Sequence, residues 1–257
     1  MQYQSWYITG ASSGIGEAFA RLAPHDTRLL LSGQNEERLL RISQDLQTHI
    51  KILPGDLTLA AEREAAILAA EEAKIDLLIL NAGIGQLGPA LENPPKREME
   101  MMLLNMVAPI EMVRALAPGM IERAKISGRR AGIILVSSVA AFMPIPYFST
   151  YAATKAFLKN FGEAFCYEIR NEPIDCLTLC PGTTRTRFFE RANAKKMLSD
   201  PGVMSPRQVA KEGLSALGKK NMHIVGLGNK MIARAIALLP HGLTVGLAGF
   251  IMRKRMM

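Results

Sequence analysis

Tyr151 and Lys155 are the residues whose types and spacing first suggest acid–base chemistry. On a helix, residues at this spacing share one face, so the ammonium group lies near the phenol. A free phenol titrates near pH ~10, and a nearby cation lowers its pKa. The pair therefore predicts a tyrosine that exchanges a proton with a carbonyl oxygen near neutral pH. An exposed Tyr and Lys on any helix share this spacing, so other residues must decide between the two interpretations.

A serine is placed to complete this pair. Ser138 follows an apolar run at 133–136 that predicts a buried strand. Pro144 and Pro146 lie between Ser138 and Tyr151 and should prevent a helix there. Ligand sites of doubly wound folds lie at the carboxyl ends of strands. We therefore expect Ser138 and Tyr151 to meet above one edge of a sheet.

A glycine-rich stretch near the start of the chain predicts a phosphate site. It reads Thr9-Gly10-Ala11-Ser12-Ser13-Gly14-Ile15-Gly16, between an apolar run and an amphipathic one. Glycines permit a tight turn and a close approach of phosphate to the backbone. The N-terminus of the following helix offers N–H groups and a partial positive charge to a pyrophosphate.

Short apolar runs alternate with longer amphipathic ones along the chain. The apolar runs predict strands at 5–9, 29–31, 50–53, 77–80, 133–136 and 174–179. The amphipathic runs predict helices at 15–23, 36–46, 59–73, 96–121 and 150–170. This alternation indicates an α/β fold, a Rossmann-type doubly wound parallel sheet with helices on both faces. We expect a single catalytic domain over residues 1–228 and an apolar helical tail over residues 229–257.

Composition narrows the function classes. The 257 residues are 49% hydrophobic and carry a net charge of +8. Such a chain can bury a core without disulfides or metals. The basic residues are dispersed, apart from the cluster Arg253-Lys254-Arg255, so we expect no nucleic-acid partner.

The cysteines predict a reduced protein without a metal site. None of the three forms a Cys-x-x-Cys pair or shows zinc spacing. Cys176 and Cys180 fall on one predicted strand, about 13 Å apart, which is too far to bridge. The sequence enters a strand pattern without a preceding secretory leader pattern. These features predict a cytoplasmic protein.

In combination, these motifs resemble those of the short-chain dehydrogenase/reductase family. The glycine loop matches the family's T-G-x-x-x-G-x-G pattern, and Ser138 with the Tyr151-x-x-x-Lys155 motif resembles its active site. The resemblance spans roughly the first 190 residues, with its motifs in the family's order. Further matches are Asp56-Leu57, Asn81-Ala82-Gly83 (after Leu80, where the family usually has Asn), Asn105 and the segment Pro181-Gly182-Thr183-Thr184-Arg185-Thr186.

The resemblance implies an NAD(P)(H)-dependent oxidoreductase that transfers hydride between nicotinamide and a carbonyl or alcohol substrate. It implies that Tyr151 donates and accepts the proton and that Ser138 orients the substrate oxygen. Lys155 would bind the nicotinamide ribose and lower the pKa of Tyr151, and Asn105 would anchor a water in a proton relay. The implied cofactor-binding residues are Gly10, Ser12, Ser13, Gly14, Ile15, Gly16, Gln34, Asp56, Leu57, Asn81, Ala82, Gly83, Tyr151, Lys155, Pro181, Gly182, Thr184 and Thr186.

The residue after the second predicted strand bears on cofactor choice. Gly33 stands where NAD-preferring members carry Asp, whose carboxylate would repel a 2′-phosphate. NADP-preferring members often carry Arg at the position of Gln34, but Gln34, Asn35 and Ser12 can still hydrogen-bond a phosphate without neutralising it. Arg38 lies one turn into the next helix. We predict NADP(H) in preference to NAD(H).

The remaining predictions concern substrate and assembly. The loops at 84–89, 142–148 and 183–206 should set specificity. They predict a small apolar carbonyl or alcohol substrate through Leu87, Phe142, Ile145, Tyr147, Phe148, Phe188 and Phe189. The family resemblance implies a homodimer or homotetramer assembled through the helices that hold Asn105 and Tyr151.

The tail has no formal charge from Ala235 to Met252 and is broken by Pro240-His241-Gly242. Three roles fit this pattern: a lid on the cleft, a subunit contact, or peripheral contact with a membrane surface through an apolar helix with a basic end. The break argues against a membrane span, which needs about 20 apolar residues.

Two other function classes stay open at this point. One is a catalytically silent NADP-binding redox sensor, and the other is a membrane-docked interaction protein whose tail is its purpose. The intact set of Ser138, Tyr151 and Lys155 favours an enzyme, because a sensor needs no proton-transfer group.

Overall fold

The computed structural model describes residues 3–46, 48–199 and 202–256. Its centre is a seven-stranded parallel sheet in the order β3-β2-β1-β4-β5-β6-β7. The strands are β1 (Ser5–Ile8), β2 (Arg28–Gly33), β3 (Ile50–Pro54), β4 (Leu77–Leu80), β5 (Ala131–Val136), β6 (Ile174–Cys180) and β7 (Met222–Ile224). The predicted doubly wound parallel fold is confirmed.

Helices connect the strands and cover both faces of the sheet. The α-helices are α1 (Gly14–Arg21), α2 (Glu36–Asp45), α3 (Ala60–Glu72), α4 (Pro95–Met102), α5 (Ala108–Ser127), α6 (Ser149–Glu168), α7 (Phe188–Arg191), α8 (Pro206–Ala216), α9 (Leu227–Leu238) and α10 (His241–Met256). A π-helical turn, Leu103–Val107, joins α4 to α5, and short 3-10 helices cover Val139–Phe142 and Lys195–Ser199.

Side chains of each strand alternate between two core layers, as the pleat of a strand requires. In β1, Trp6 and Ile8 pack with α1, α2 and α8 on one face, whereas Tyr7 packs with α3, α5 and α6 on the other. Because both faces are buried, the central strands are apolar at consecutive positions rather than only at alternate ones. This explains the continuous apolar runs in the sequence.

The strand order reverses between β1 and β4. The strands after β1 are added on one side of it, and those after β4 are added on the other side of the sheet. A crevice forms at such a switch point, outside the carboxyl ends of the strands. A third apolar cluster lies at this edge and includes Leu87, Phe148, Tyr151 and Met252. Met252 belongs to α10, so the tail packs against the edge where ligands bind in this fold.

The predicted helix at 96–121 is longer and less regular than expected. It runs from Pro95 to Ser127 and contains the π-helical turn. By length and composition alone this helix could cross a membrane, but half of its most apolar window is buried inside the protein. It is the core helix that packs against β4 and β5 through residues such as Met112 and Leu116.

Four elements between residues 183 and 224 were not predicted from the sequence. α8 and β7 were not predicted, and the segment 183–206, interpreted as a loop, contains α7 and a 3-10 turn. Residues 200 and 201 of that segment lie outside the described residues. β7 is short and places the polar His223 between two apolar residues, which gives little periodicity to detect.

The expectation of reduced cysteines is corrected by the fold. Cys166 on α6 and Cys176 on β6 form a disulfide, with their Cα atoms 5.3 Å apart. Cys176 and Cys180 share a strand and do not bridge, as expected. The disulfide instead joins a helix to the strand packed against it, which the cysteine spacing alone did not predict. Cys180 is a free, buried thiol, and burial raises its pKa to about 12.

Candidate active site

The predicted site residues converge on one cleft at the carboxyl edge of the sheet. The cleft has a volume of about 480 Å³ and reaches from the glycine loop after β1 to the tail helix α10. All the predicted catalytic and cofactor-binding residues line it except Gly16 and Asn105. Residues that are more than 170 positions apart in the chain, such as Gly10 and Pro181, thus face the same space.

The glycine loop needs its glycines for two different reasons. Gly10 has φ +66°, in the left-handed region that side chains disfavour, and this lets the chain turn sharply out of β1. Gly16 does not line the cleft, but a Cβ at this position would collide with the carbonyl oxygen of Gly10. Gly16 therefore allows the first turn of α1 to pack against the loop.

The loop presents the N-terminus of α1 to the cleft. Ser13 stands at the N-cap position and makes no side-chain hydrogen bond to the helix, while Ser12, Gly14 and Ile15 also line the cleft. Uncapped N–H groups at a helix N-terminus bind anionic oxygens. The structure thus offers a cradle for phosphate where the sequence predicts one.

Asn81 fixes this loop to the neighbouring strand. Its side-chain Nδ2 donates to the carbonyl oxygen of Thr9 at 3.0 Å and of Gly10 at 3.3 Å. The Thr9 hydroxyl in turn accepts hydrogen bonds from the backbone N–H groups of Asn81 and Ala82, each at 3.0 Å. The turns after β1 and β4 are therefore held as one unit across the switch point.

Polar and basic side chains gather where Gln34 and Asp56 line the cleft. Burial would raise the pKa of Asp56, but hydrogen bonds from Thr58 and Gln34 and the positive charge of Arg97 hold that pKa below its usual value. Asp56 therefore stays ionised and accepts hydrogen bonds. Leu57 beside it is buried and supplies an apolar surface.

Two arginines that the sequence reading missed, Arg97 and Arg191, also line the cleft. Burial lowers the pKa of the Arg191 guanidinium, and the charges of neighbouring arginines, Arg38 and Arg97 among them, lower it further. Several positive charges that lie close together indicate a surface that can bind an anion. The sequence pointed only to Arg38 of this cluster, because its members come from α2, α4 and α7.

Tyr151 lies in an apolar part of the cleft. Its ring stacks on Phe148 with centroids 4.4 Å apart and contacts Phe188 at 5.2 Å. Burial raises the pKa of Tyr151 to about 12, against the opposing effect of a hydrogen bond with Ser138. The expected lowering of the Tyr151 pKa by Lys155 is not seen in this structure, where burial and the Ser138 hydrogen bond set that pKa, so Tyr151 holds its proton at neutral pH.

Lys155 is buried one helical turn after Tyr151. Its Nζ donates to the carbonyl oxygen of Val136 at 2.9 Å and lies 5.9 Å from the centroid of the Tyr151 ring. Ser137 ties this turn of α6 to the end of β5, because its hydroxyl donates to the backbone carbonyl of Lys155 at 2.7 Å. Burial lowers the pKa of Lys155 to about 8, since it disfavours the ammonium form.

Asn105 is fully buried in the π-helical turn and does not reach the cleft. Its Oδ1 accepts from the N–H of Ile84 at 3.0 Å, and its Nδ2 donates to the Ile84 carbonyl at 2.9 Å and to the Thr154 hydroxyl at 3.0 Å. The side chain predicted to serve a proton relay is therefore occupied in joining three elements. A Cβ on Gly83 would lie between its Oδ1 and Lys155 Nζ, at 3.2 and 3.3 Å.

Apolar residues line the other end of the cleft. Ile145, Phe148, Phe188 and Phe189 line it as expected from the loops, whereas Leu87, Phe142 and Tyr147 do not. The tail also lines the cleft, a role that its sequence left open. The tail residues that line it are Ile232, Ala248, Ile251, Met252 and Arg255. One side of α10 thus covers the cleft, as a lid would.

The cleft fits a dinucleotide with a reactive ring. A phosphate cradle lies beside the uncapped N-terminus of α1, hydrogen-bonding and basic groups surround Gln34 and Asp56, and the buried Tyr151 and Lys155 lie at the apolar end. The switch-point position of this cleft is where doubly wound folds bind dinucleotides. A fold and site of this kind define a nicotinamide-dependent oxidoreductase class.

Comparison with known families agrees with this class. The family model for short chain dehydrogenase matches residues 4–197. The chain therefore belongs to the short-chain dehydrogenase/reductase family, whose members are oxidoreductases that use a nicotinamide cofactor. The matched region includes every predicted catalytic residue and ends before α8.

Individual relatives cover more of the chain than the family model does. "Dehydrogenase/reductase SDR family member 7B" of Bos taurus is 32% identical over 254 residues, which cover 90% of this chain and 75% of the relative. A short-chain dehydrogenase from Sphingobium yanoikuyae, solved with NADPH, is 28% identical with a TM-score of 0.76 and covers 91% of this chain and 93% of its own. A second solved structure, from Burkholderia phymatum with NAD, shares the fold at 23% identity and a TM-score of 0.78, covering 90% and 92% of the two chains.

Proposed function

We propose that this protein is an NADP(H)-dependent oxidoreductase that interconverts an apolar carbonyl compound and its alcohol. The observation that carries the proposal is the convergence of Ser138, Tyr151 and Lys155 on a cleft that also contains the glycine loop. A binding protein that only senses the cofactor has no use for a buried proton donor at the apolar end. A membrane-docked interaction protein has no use for the phosphate cradle.

The residues divide the work of the reaction among them. The nicotinamide cofactor, when bound, supplies or accepts the hydride. The Tyr151 hydroxyl gives its proton to the substrate oxygen in reduction and takes it back in oxidation. Ser138 positions that oxygen, and Lys155 binds the ribose hydroxyls while its charge favours the phenolate that remains. We propose Asn105 as a positioning residue, because its side chain is fully engaged with Ile84 and Thr154.

The basic cluster favours NADP(H) over NAD(H). Gly33 leaves no carboxylate at the end of β2, and Arg38, Arg97 and Arg191 bring positive charge close to one another. A 2′-phosphate would neutralise part of this charge, and charge-assisted hydrogen bonds to phosphate are among the strong ones. The remaining cradle consists of Gly10, Ser12, Ser13, Gly14, Ile15, Gln34, Leu57, Ala82, Gly83, Pro181, Gly182, Thr184 and Thr186.

The rest of the proposal concerns assembly and place in the cell. The catalytic unit is residues 1–228, and residues 229–257 act as a cover for its cleft. We propose a homodimer or homotetramer, in keeping with the oligomers that are common in the family; the Cys166–Cys176 disulfide removes the argument from reduced cysteines for a cytoplasmic location.

A panel of substrates tests the proposal. Purified protein is mixed with NADPH or NADH and with apolar aldehydes, ketones and 3-ketoacyl thioesters, and cofactor oxidation is followed by absorbance. We expect turnover of apolar carbonyls with a higher kcat/KM for NADPH. Binding of NADPH without turnover of any member of the panel would favour the redox-sensor class instead.

A further inference from the structure

The helices α9 and α10 expose large apolar side chains on the side that does not face the cleft. These residues, which we call the tail patch, are between 58% and 87% exposed: Leu227, Met231, Leu238, Leu243, Leu247 and Phe250. Exposed apolar residues elsewhere on the described surface, such as Leu68 and Leu91, belong to separate elements. An apolar surface of this kind on a water-soluble protein marks an interaction site.

Helical spacing places the patch on one side of each helix. Leu243, Leu247 and Phe250 follow one another at intervals of four and three residues on α10, so they form a stripe. Ala248 and Met252 on the same helix are buried against the cleft. A helix that is apolar on more than one side normally lies between two apolar surroundings. The cleft is one of them, and the tail patch must meet the other.

Charge identifies the kind of partner. After Glu212 the sequence contains no Asp or Glu, although it contains Lys219, Lys220, Lys230, Arg234 and the Arg253-Lys254-Arg255 cluster. Lys254 Nζ lies 4.6 Å from the centroid of the Phe250 ring, so a cation sits directly on the patch. The basic residues of α10 stand together in its last turn rather than along one face. An apolar surface that ends in a basic cluster, with no acidic residue near it in the sequence, suits a membrane surface whose headgroups are anionic.

We propose that the tail patch docks on an anionic phospholipid surface, with α9 and α10 lying in the plane of the headgroups. A second copy of the chain fits less well, because a two-fold contact would bring identical basic surfaces together. Anionic headgroups instead offer opposite charge to every basic residue near the surface. Neither helix is long enough to cross the bilayer, which needs about 20 residues.

Docking in this way would bring the rim of the cleft close to the lipid. Ile232 and Ile251 line the cleft and remain partly exposed beside the tail patch. An apolar carbonyl compound dissolved in the membrane could then enter without crossing water. This consequence rests on the proposed function, whereas docking itself does not.

Vesicle co-sedimentation tests the apolar part of the proposal. The full chain is mixed with neutral phosphatidylcholine vesicles and with vesicles that also contain phosphatidylserine, at low and high salt. We expect binding to the anionic vesicles only, weakened by salt. The double variant Leu247→Glu/Phe250→Glu should lower the apparent affinity at least tenfold. The control, Leu68→Glu/Leu91→Glu, changes the net charge equally and should bind nearly as well as wild type.

A second pair of variants tests the charges. Arg253→Glu/Lys254→Glu should weaken binding to anionic vesicles roughly tenfold or more, because each basic residue near the surface contributes. Arg28→Glu/Arg129→Glu changes two exposed arginines outside the tail and should have a smaller effect. None of these residues lines the cleft, so NADPH binding in solution should stay at the wild-type level in every variant.

Fluorescence reports whether the patch enters the lipid. The chain has one tryptophan, the fully buried Trp6, so an added tryptophan in a patch position dominates the response to vesicles. Emission of the Phe250→Trp protein should shift to shorter wavelength with anionic vesicles, whereas that of Leu91→Trp should not.

Three results would overturn the proposal: no binding of wild type to anionic vesicles, equal loss in the patch and control variants, or a patch variant that changes only the oligomeric state. The last would identify the tail patch as a subunit interface. If the wild-type protein turns over substrate but does not bind vesicles, docking is refuted and the proposed function still stands.

Discussion

At the scale of single residues, the site depends on how burial changes the charges of Tyr151 and Lys155. Burial raises the pKa of the phenol to about 12 and lowers that of the ammonium to about 8. Tyr151 is therefore a proton donor throughout the neutral range. Of these two groups, Lys155 is the one whose charge changes closer to neutral pH.

This difference predicts how activity depends on pH. Below pH about 8 the ammonium of Lys155 is charged, and as the pH rises through that value it loses its proton. The reduction rate should fall over the same interval, because the neutral amine binds the ribose hydroxyls and supports the phenolate less well. The measurement is kcat/KM for carbonyl reduction as a function of pH.

The Lys155→Arg variant is the matched comparison for that profile. A guanidinium keeps its charge at any pH that proteins tolerate, so the fall near pH 8 should disappear even if the absolute rate is lower. A wild-type profile that stays flat through this interval would contradict the assignment of Lys155.

We expect cofactor preference to depend on a second set of residues, the arginines Arg38, Arg97 and Arg191. Replacing Arg38 by Ala should weaken NADPH binding by roughly 10- to 100-fold, since a hydrogen bond to a charged group contributes about 1.5–3 kcal/mol. NADH binding should change little, because NADH lacks the 2′-phosphate. Arg41→Ala is the control, as Arg41 lies on the same helix and pairs with Glu37 instead. An equal loss for both cofactors would remove Arg38 from the phosphate site.

At the scale of the elements, the π-helical turn is what distinguishes the long central helix. π-Helical turns occur frequently at functional sites, and this one carries Asn105 between β4 and α6. Asn105→Ala should lower the free energy of unfolding by about 2–4 kcal/mol, because it removes the partner of the Ile84 N–H and carbonyl groups and the hydrogen bond to the Thr154 hydroxyl, which keeps its bond to the Tyr151 carbonyl. Denaturant titration measures this loss.

Thr154→Val provides the graded control for that measurement. It removes the hydroxyl that accepts from Asn105 but leaves both hydrogen bonds to Ile84, so a loss of about 1 kcal/mol is expected. If Asn105→Ala were no more destabilising than Thr154→Val, the positioning role of Asn105 would be wrong.

The elements also show where sequence reasoning succeeds. The helix from Gly14 and the strand before it were predictable, because the glycine loop and the apolar run are local patterns. α8 could have been found too, since Ser205 caps it by accepting from the N–H of Gln208 and Pro206 follows in the first turn. The Cys166–Cys176 pair and the approach of Arg191 to Arg38 depend on how distant elements pack, which no local pattern contains.

At the scale of the whole molecule, the tail has two sides with different tasks. Its inner side, through Ala248 and Met252, lines the cleft, and its outer side is the tail patch. Three roles of the tail were compatible with its sequence: a lid, a subunit contact and a membrane contact. The periodicity of α10 does not say which side of the helix packs against the protein. Only the packed structure separates the two sides.

Assembly is the prediction that belongs to this scale. We expect a dimer or tetramer by light scattering at micromolar concentration, formed through α5 and α6. Phe157 is partly exposed on α6, and Phe157→Glu should shift the population toward smaller species by placing a charge in the contact. Leu91→Glu, on a loop, should leave the size unchanged. A wild type that is monomeric at this concentration would contradict the expectation.

The central claim is that Tyr151 transfers the proton in a nicotinamide-dependent reduction. The most direct test compares single-turnover reduction by wild type, Tyr151→Phe and Tyr7→Phe, with NADPH binding measured in parallel. Tyr7 is an apt control, because it is also a buried tyrosine that bonds a serine and has a pKa raised to about 12. We predict a loss of about 10²- to 10⁴-fold in Tyr151→Phe with NADPH binding intact, and near wild-type turnover in Tyr7→Phe. Turnover by Tyr151→Phe within a fewfold of wild type would contradict the account.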